Sequence, residues 1–314
     1  MRGLWIESGK TRFREDLPRP EAVGECRVRV LKAGVCATDL ALLAGYMNFV
    51  GIPGHEFVGV ALEGPLAGRR VVGEINAACG KCQTCLDGRG RHCPQRSVLG
   101  ILKRGGAFAE ELTLPACNLL AVPDGVSTDA ATFTEPLAAA FEMVEQGAAA
   151  GARRALVIGD GKLGLLCAQV LALHIPEVAL RGRHPERLAL IDRPLLWDTD
   201  PGESPPYDLV VEASGAPGSV SRALEAVRPG GTLVLKTTVP DPVPMDLAKV
   251  VVDEITVLGS RCGSFEPALA ALASGEVCVE PMIEGRYGLE EGPQALERAA
   301  RGGVLKLLIE VDPA

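Results

Sequence analysis

The apolar positions of this chain change rhythm along its length. Cys26-Arg27-Val28-Arg29-Val30-Leu31 alternates with the period of two of a half-buried strand, and residues 1–35 as a whole read as β. Ala155-Leu156-Val157-Ile158 is instead a continuous apolar run, the mark of a strand buried on both faces, and Leu163–Leu173 continues as an apolar helix. Further strands are expected at Glu177–Leu180, Tyr207–Glu212, Thr232–Thr237 and Ile255–Gly259. A helix is expected over Ser219–Val227, and a turn at Pro229-Gly230-Gly231. Strands that alternate with helices predict a parallel sheet in an α/β domain. Only about 25 residues separate the strands at 177 and 207, and Pro201-Gly202-Glu203-Ser204-Pro205-Pro206 cannot be helical. One crossover helix is therefore expected to be missing. No internal repeat or low-complexity tract is present.

The strand at 155–158 and the helix from 163 enclose Gly159-Asp160-Gly161-Lys162-Leu163-Gly164, a G-x-G-x-x-G. Gly159 permits the tight turn, Gly161 leaves the backbone open to a pyrophosphate, and Gly164 lets the helix pack on its strand. The helix N-terminus adds free N–H groups and a positive dipole end. Such a motif alone is weak. With a strand before it and a helix after it, it marks a dinucleotide site, the bland alternative being an ordinary tight turn.

At 314 residues the chain is long enough for two domains. A net charge of −8 and a pI near 5.2 argue against nucleic acid or an anionic membrane surface as a partner. There is no run of 18 apolar residues, and Met1-Arg2-Gly3-Leu4 lacks a signal-peptide core, so a soluble, cytoplasmic protein is expected.

Four of the ten cysteines are bunched. Cys79, Cys82, Cys85 and Cys93 form C-x2-C-x2-C-x7-C in a Gly- and charge-rich loop. Four adjacent thiolates repel unless a cation binds them, and a tetrahedron of four cysteine sulfurs is a common structural zinc site. An iron–sulfur cluster is the rival, but the ferredoxin run has three residues before its last cysteine, not seven. Cys36, His55 and Glu56 are less specific. A lone cysteine is usually packing and a lone histidine a core group. Together they form a plausible open zinc site with a fourth position for water or substrate.

These motifs occur in one order: Cys36-Ala37-Thr38-Asp39, Gly54-His55-Glu56, the 79–93 lobe, Glu135-Pro136-Leu137, the 159–164 turn, and Ala299-Ala300-Arg301-Gly302-Gly303-Val304-Leu305-Lys306. In this the chain resembles the zinc-dependent medium-chain dehydrogenases, the superfamily of alcohol, sorbitol and glucose dehydrogenases. The resemblance implies an α/β protein in which a GroES-like, β-rich catalytic domain is interrupted by a Rossmann domain with a doubly wound parallel sheet. It implies boundaries at 1–137 (catalytic, with the zinc lobe at 79–93), 138–261 (Rossmann) and 262–314 (return to the catalytic domain), with the active site in the cleft between. It also implies a homodimer or homotetramer.

Carried over residue by residue, the resemblance makes Cys36 and His55 ligands of a catalytic zinc, with Glu56 able to bind it directly. Glu135 stands where the polyol and glucose branches place a glutamate ligand; its bland reading is a helix-capping acid before Pro136. Asp39 would accept a hydrogen bond from the ring nitrogen of His55 that faces away from zinc. Thr38 would take the proton from a zinc-bound hydroxyl. Ala41 replaces the relay histidine of the liver-type enzymes and Ala37 an arginine near the diphosphate, so proton release would take a shorter route.

An NAD enzyme usually ends its second Rossmann strand with an acid for the ribose hydroxyls. Here Gly182 holds that place, flanked by Arg181, Arg183, His184 and Arg187. This favours the 2′-phosphate of NADP, the bland reading being surface arginines. Lys162, Leu163, Ala213, Ser214, Thr237, Ser260 and Arg261 complete the expected cofactor site. The expectation is an oxidoreductase with two zinc ions per chain, acting on an alcohol, polyol or sugar hydroxyl with NADP, or alternatively NAD. A carbonyl reductase is the second reading, and a dinucleotide-binding regulatory or structural protein without turnover the third.

Overall fold

The computed structural model describes residues 1–199, 206–238 and 242–312. The chain divides into two compact units, Met1–Glu135 with Val279–Ala314, and Pro136–Cys278.

The first unit opens with the hairpin β1 (Gly3–Glu7) and β2 (Lys10–Arg14), then the long strand β3 (Cys26–Gly34). Alternation buries Cys26, Val28 and Val30. Between Val30 and Lys32 the pairing with the next strand slips by one residue, and Leu31 is buried too. A bulge of this kind bends a strand and redirects the chain beyond it, here towards the entry of helix α1 (Ala37–Leu43). Next come β4 (Glu56–Ala61), β5 (Arg70–Gly73) and the ladder of β6 (Asn76–Ala77) with β7 (Ser97–Val98). The loop between β6 and β7 contains the single turn α2 (Gln83–Leu86). Strands β8 (Glu111–Leu114) and β9 (Leu119–Ala121) and the short α3 (Thr128–Ala131) complete this part.

Helix α4 (Thr134–Glu145) leads into the second unit. There the chain runs β10 (Arg154–Ile158), α5 (Lys162–Ala172), β11 (Glu177–Arg181), β12 (Leu196–Trp197), β13 (Tyr207–Glu212), α6 (Ser219–Ala226), β14 (Val227–Leu235), α7 (Leu247–Val252), β15 (Thr256–Gly259) and α8 (Phe265–Ser274). The sheet is parallel throughout, in the order β12-β11-β10-β13-β14-β15. The order reverses between β10 and β13, the switch point where such sheets bind ligands beyond their strand C-termini. Leu156, Ile158, Val210, Leu233, Ala223 and Leu224 share one core cluster. The expected turn at Pro229 to Gly231 is absorbed into β14, with a register shift against Tyr207 and Leu209. A six-residue 3-10 segment, Pro185–Leu190, stands between β11 and β12 in place of a helix, and β12 is a two-residue stub. Most of the proline-rich segment expected to be non-helical, residues 200–205, lies outside the described residues.

The chain returns to the first unit with β16 (Ile283–Gly288), α9 (Gly292–Ala300) and β17 (Lys306–Glu310). The main sheet there runs β16-β17-β3-β4-β5-β9, with β8 paired to β3. Residues 262–278 group with the second unit, whereas the sequence pattern returned them to the catalytic domain. The reasons are local. A Cβ on Gly263 would lie 1.9 Å from the Ala138 carbonyl, so the backbone packs directly on α4. The buried Gln169 amide, on α5, clasps Cys278 by donating to its carbonyl (3.0 Å) and accepting from its N–H (2.9 Å).

Candidate functional site

In the first unit, Cys36 is the N-cap of α1 and Asp39 its third residue. Asp39 Oδ2 accepts the Cys36 N–H at 2.9 Å, closing half of a capping box. Its Oδ1 accepts the Gly54 N–H at 3.2 Å. Gly54 has φ +96°, and a Cβ there would lie 2.7 Å from the Phe108 ring, so only glycine fits. One fully buried carboxylate thus ties the segment bearing Cys36 to the segment bearing His55. The ligand atoms of Cys36, His55 and Glu56 lie within 4.8 Å of one another. His55 Nδ1 is 3.4 Å from Asp39 Oδ1. The two groups stand close enough for their charges to interact, without a hydrogen bond of good geometry. Nδ1 turned to Asp39 leaves Nε2 for a metal. Burial opposes charge on His55, yet the Asp39 carboxylate and Cys36 sulfur raise its pKa well above the usual value. The group attracts positive charge. Glu56 Oε1 is buried without a hydrogen-bond partner, an orphan acceptor that a metal would satisfy. Thr38 Oγ1 lies 3.8 Å from Cys36 Sγ. Glu135, in the first turn of α4, is not part of this three-residue group.

Lys306 is a part of the site to which the sequence pattern assigned no role. It is wholly buried, ion-paired with Glu56 Oε2, and 5.1 Å from the centroid of the Phe133 ring. Gly34 makes room for the pair, since a Cβ there would sit 2.5 Å from Glu56 Oε2.

In the lobe, four sulfur–sulfur distances of 3.5, 3.6, 3.7 and 3.9 Å join Cys79, Cys82, Cys85 and Cys93. Metal–sulfur bonds of about 2.3 Å give a tetrahedron with edges of about 3.8 Å. The sulfurs fit one small ion. An iron–sulfur cluster places several atoms among its cysteines and spreads them further apart. Backbone N–H groups of Lys81 and Cys82 hold the Cys79 thiol down to about 6, while burial and the neighbouring sulfurs push Cys85 up to about 12.

In the second unit, Gly159 has φ +120°, and a Cβ on Gly164 would lie 1.8 Å from the Gly159 carbonyl. A Cβ on Gly161 would meet nothing within 4 Å. The turn is therefore closed on its strand side and open where a pyrophosphate would lie, with Lys162 and Leu163 in the first turn of α5. Glu212, unassigned from sequence, organises the end of β13. Its Oε1 accepts from Ser214 N–H (2.9 Å), Ser214 Oγ (2.6 Å) and Gly215 N–H (3.0 Å), and Oε2 from Thr237 Oγ1. A Cβ on Gly159 would touch Ala213 at 2.8 Å, so this turn borders the Gly-rich one. Lys236 Nζ donates to Ser260 Oγ (3.1 Å) and to the Arg261 carbonyl (3.3 Å).

The arginines of the basic cluster have different partners. Arg181 is turned inward and paired with the buried Asp198 (2.7 Å), which also accepts from Tyr207 Oη (3.0 Å). Arg181 is thus committed to Asp198. Arg187 Nη1 donates to the Asp160 carbonyl (2.8 Å). Arg183 is exposed.

Residues 22–124 match the alcohol dehydrogenase GroES-like domain family, and residues 202–274 match the zinc-binding dehydrogenase family. The chain is 31% identical to L-threonine 3-dehydrogenase of Streptomyces avermitilis, over 98% of this chain and 96% of that protein. The chain belongs to the zinc-dependent medium-chain dehydrogenase superfamily. An alcohol dehydrogenase of a Thermus species superposes with a TM-score of 0.86 at 30% identity, covering 99% of this chain and 100% of that one. A zinc-binding dehydrogenase of Sinorhizobium meliloti, bound to NADP, superposes with 0.87 at 28% identity, covering 99% of each. The superfamily accounts for the GroES-like first unit and the Rossmann sheet of the second. It makes the chain an oxidoreductase of the alcohol dehydrogenase type. Among the described residues no helix is long and apolar enough to cross a membrane.

Proposed function

We propose that this dehydrogenase oxidises an alcohol, polyol or sugar hydroxyl with NADP, through a zinc ion held by Cys36, His55 and Glu56, and carries a second, structural zinc on Cys79, Cys82, Cys85 and Cys93. The observation that carries the reading is the buried Cys36–His55–Glu56 group, with an orphan carboxylate oxygen and a hydroxyl close to its sulfur. Bound zinc supplies Lewis acidity that draws an alcohol pKa towards neutrality, and the nicotinamide ring accepts the hydride. The remaining work belongs to the chain. Asp39 holds the Cys36 and His55 segments together, and Lys306 fixes one oxygen of Glu56 so that the other faces the group. Thr38 Oγ1, close to the Cys36 sulfur, would relay the hydroxyl proton, accepting it while passing its own on, and with Ala41 in place of a relay histidine no imidazole follows it in that position. In the second unit, the open Gly161 and the first turn of α5 receive the pyrophosphate. Arg183 meets the 2′-phosphate, in keeping with the NADP bound to the Sinorhizobium relative. The chain pairs with a second copy through the edge strand β15, beside which Leu247, Val251, Val252 and Val257 are exposed.

The test is a panel of L-threonine, polyols, sugars and secondary alcohols, each with NADP and NAD in both directions, together with zinc and acid-labile sulfide analysis. Turnover on at least one alcohol and two zinc ions per chain are expected. Cys36→Ser loses activity and one zinc with the fold intact, whereas Cys82→Ser lowers thermal stability. Stoichiometric NADPH binding without turnover on any alcohol or carbonyl would overturn the catalytic reading. Iron with labile sulfide would overturn the metal assignment.

A further inference from the structure

Gly182 lacks a side chain for a reason in the protein itself. A Cβ there would lie 2.3 Å from Asp160 Cγ, 2.5 Å from its Cβ and 2.7 Å from its Oδ2. Asp160, the second residue of the Gly-rich turn, has folded its carboxylate into the root of the space that an acid at 182 would need. The Oδ2 atom accepts the N–H groups of Arg183 (2.9 Å) and His184 (2.6 Å), and lies 2.8 Å from His184 Nδ1. Arg187 Nη1 donates to the Asp160 carbonyl and stands 4.0 Å from Oδ1. Asp160 is 6% exposed. Burial opposes its ionisation, but the Arg183 and His184 donors outweigh this and hold its pKa below the usual range. The turn over 182–184 is thus clamped to the Gly-rich loop. With Arg181 committed to Asp198 and Arg187 to the Asp160 carbonyl, Arg183 is the arginine this clamp presents to solvent.

We propose that Asp160 is a positioning residue for cofactor selection: it excludes an acid from position 182 and clamps the 182–184 turn so that Arg183 meets the 2′-phosphate of NADP. The inference rests on the dinucleotide reading above and goes beyond it. With three donors on Oδ2, the carboxylate is a poor acceptor for ribose hydroxyls, so its effect on the cofactor passes through the turn. Gly182 and Asp160 are then a coupled pair, and neither changes alone without cost.

The experiment compares dissociation constants for NADPH and NADH, read by fluorescence or calorimetry, with kcat/KM for both cofactors. The proteins are wild type, Asp160→Ala, Arg183→Ala, the Asp160→Ala/Arg183→Ala pair, Gly182→Asp, and Asp160→Ala/Gly182→Asp. Asp160→Ala is expected to lower the NADPH-over-NADH preference about tenfold, as one charge-assisted hydrogen bond would. In the Arg183→Ala background the same change should do nothing further, because both act through one contact. Gly182→Asp alone should weaken both cofactors, since two carboxylates compete for one space. With Asp160→Ala it should bind NADH in preference. A clean switch to NADH by Gly182→Asp alone overturns the proposal, as does an equal effect of Asp160→Ala with and without Arg183. Wild-type preference for NADH overturns the cofactor reading and the proposal with it, whereas an NADPH preference that survives Asp160→Ala overturns the proposal alone.

Discussion

The pair Lys306–Glu56 is the most exacting test of the first unit. Both side chains are fully buried, and the Lys306 ammonium also lies over the Phe133 ring. Lys306→Met keeps the unbranched stem and removes the charge. Breaking a buried pair by removing one partner costs about 3–5 kcal/mol, because the other charge is left unpaired. Losing the cation over the ring, worth up to about 2 kcal/mol, pushes the cost towards the upper end of that range. At about 2–4 °C per kcal/mol for a unit of this size, a loss of 3–5 kcal/mol lowers the melting temperature of the first unit by about 6–20 °C. Differential scanning calorimetry reads this, with both proteins in the same metal state. Lys306→Met/Glu56→Gln separates charge from packing. It strands no charge and should regain most of the loss, with a coupling of several kcal/mol between the two sites. If Lys306→Met melts within about 1 °C of wild type, or the double variant is no more stable than the single, the reasoning from a stranded carboxylate fails.

The Gly-rich turn separates binding from folding. Gly161→Val fills open space and should abolish NADPH binding while leaving the melting temperature within a few degrees, whereas Gly164→Ala drives a methyl into the Gly159 carbonyl and should lower stability itself. Equal effects of the two on stability would contradict the open-pyrophosphate geometry. For assembly, light scattering of wild type should give a dimer or a multiple of it. Val252→Glu with Val257→Lys should give a monomer that still binds NADPH; an unchanged mass would rule out the β15 edge as the interface.

Much of the site was legible because its chemistry comes in short spacings. The turn at Gly159–Gly164 and the four cysteines of the lobe each lie within one loop, where chain geometry alone brings the groups together. Residues that depend on a distant partner were not legible. Glu56 meets Lys306 across 250 positions, and no local pattern announces which buried lysine takes which acid. Arg181 reads as a phosphate ligand until Asp198, 17 positions on, is seen to hold it. Residues 262–278, returned to the catalytic domain by the resemblance, group with the second unit, where the buried Gln169 clasps Cys278 across 109 positions.

Gly182, at the end of the second Rossmann strand, is read as room for a phosphate, on the premise that its empty space faces the ligand. Here the space faces Asp160, whose carboxylate fills it and takes the backbone of Arg183 and His184 as partners. The case for NADP therefore passes from the missing acid to the clamped Arg183, which is a claim about one side chain and its neighbours rather than about a motif. An acid absent from a motif position bears on the ligand only after the neighbours able to fill its place have been counted.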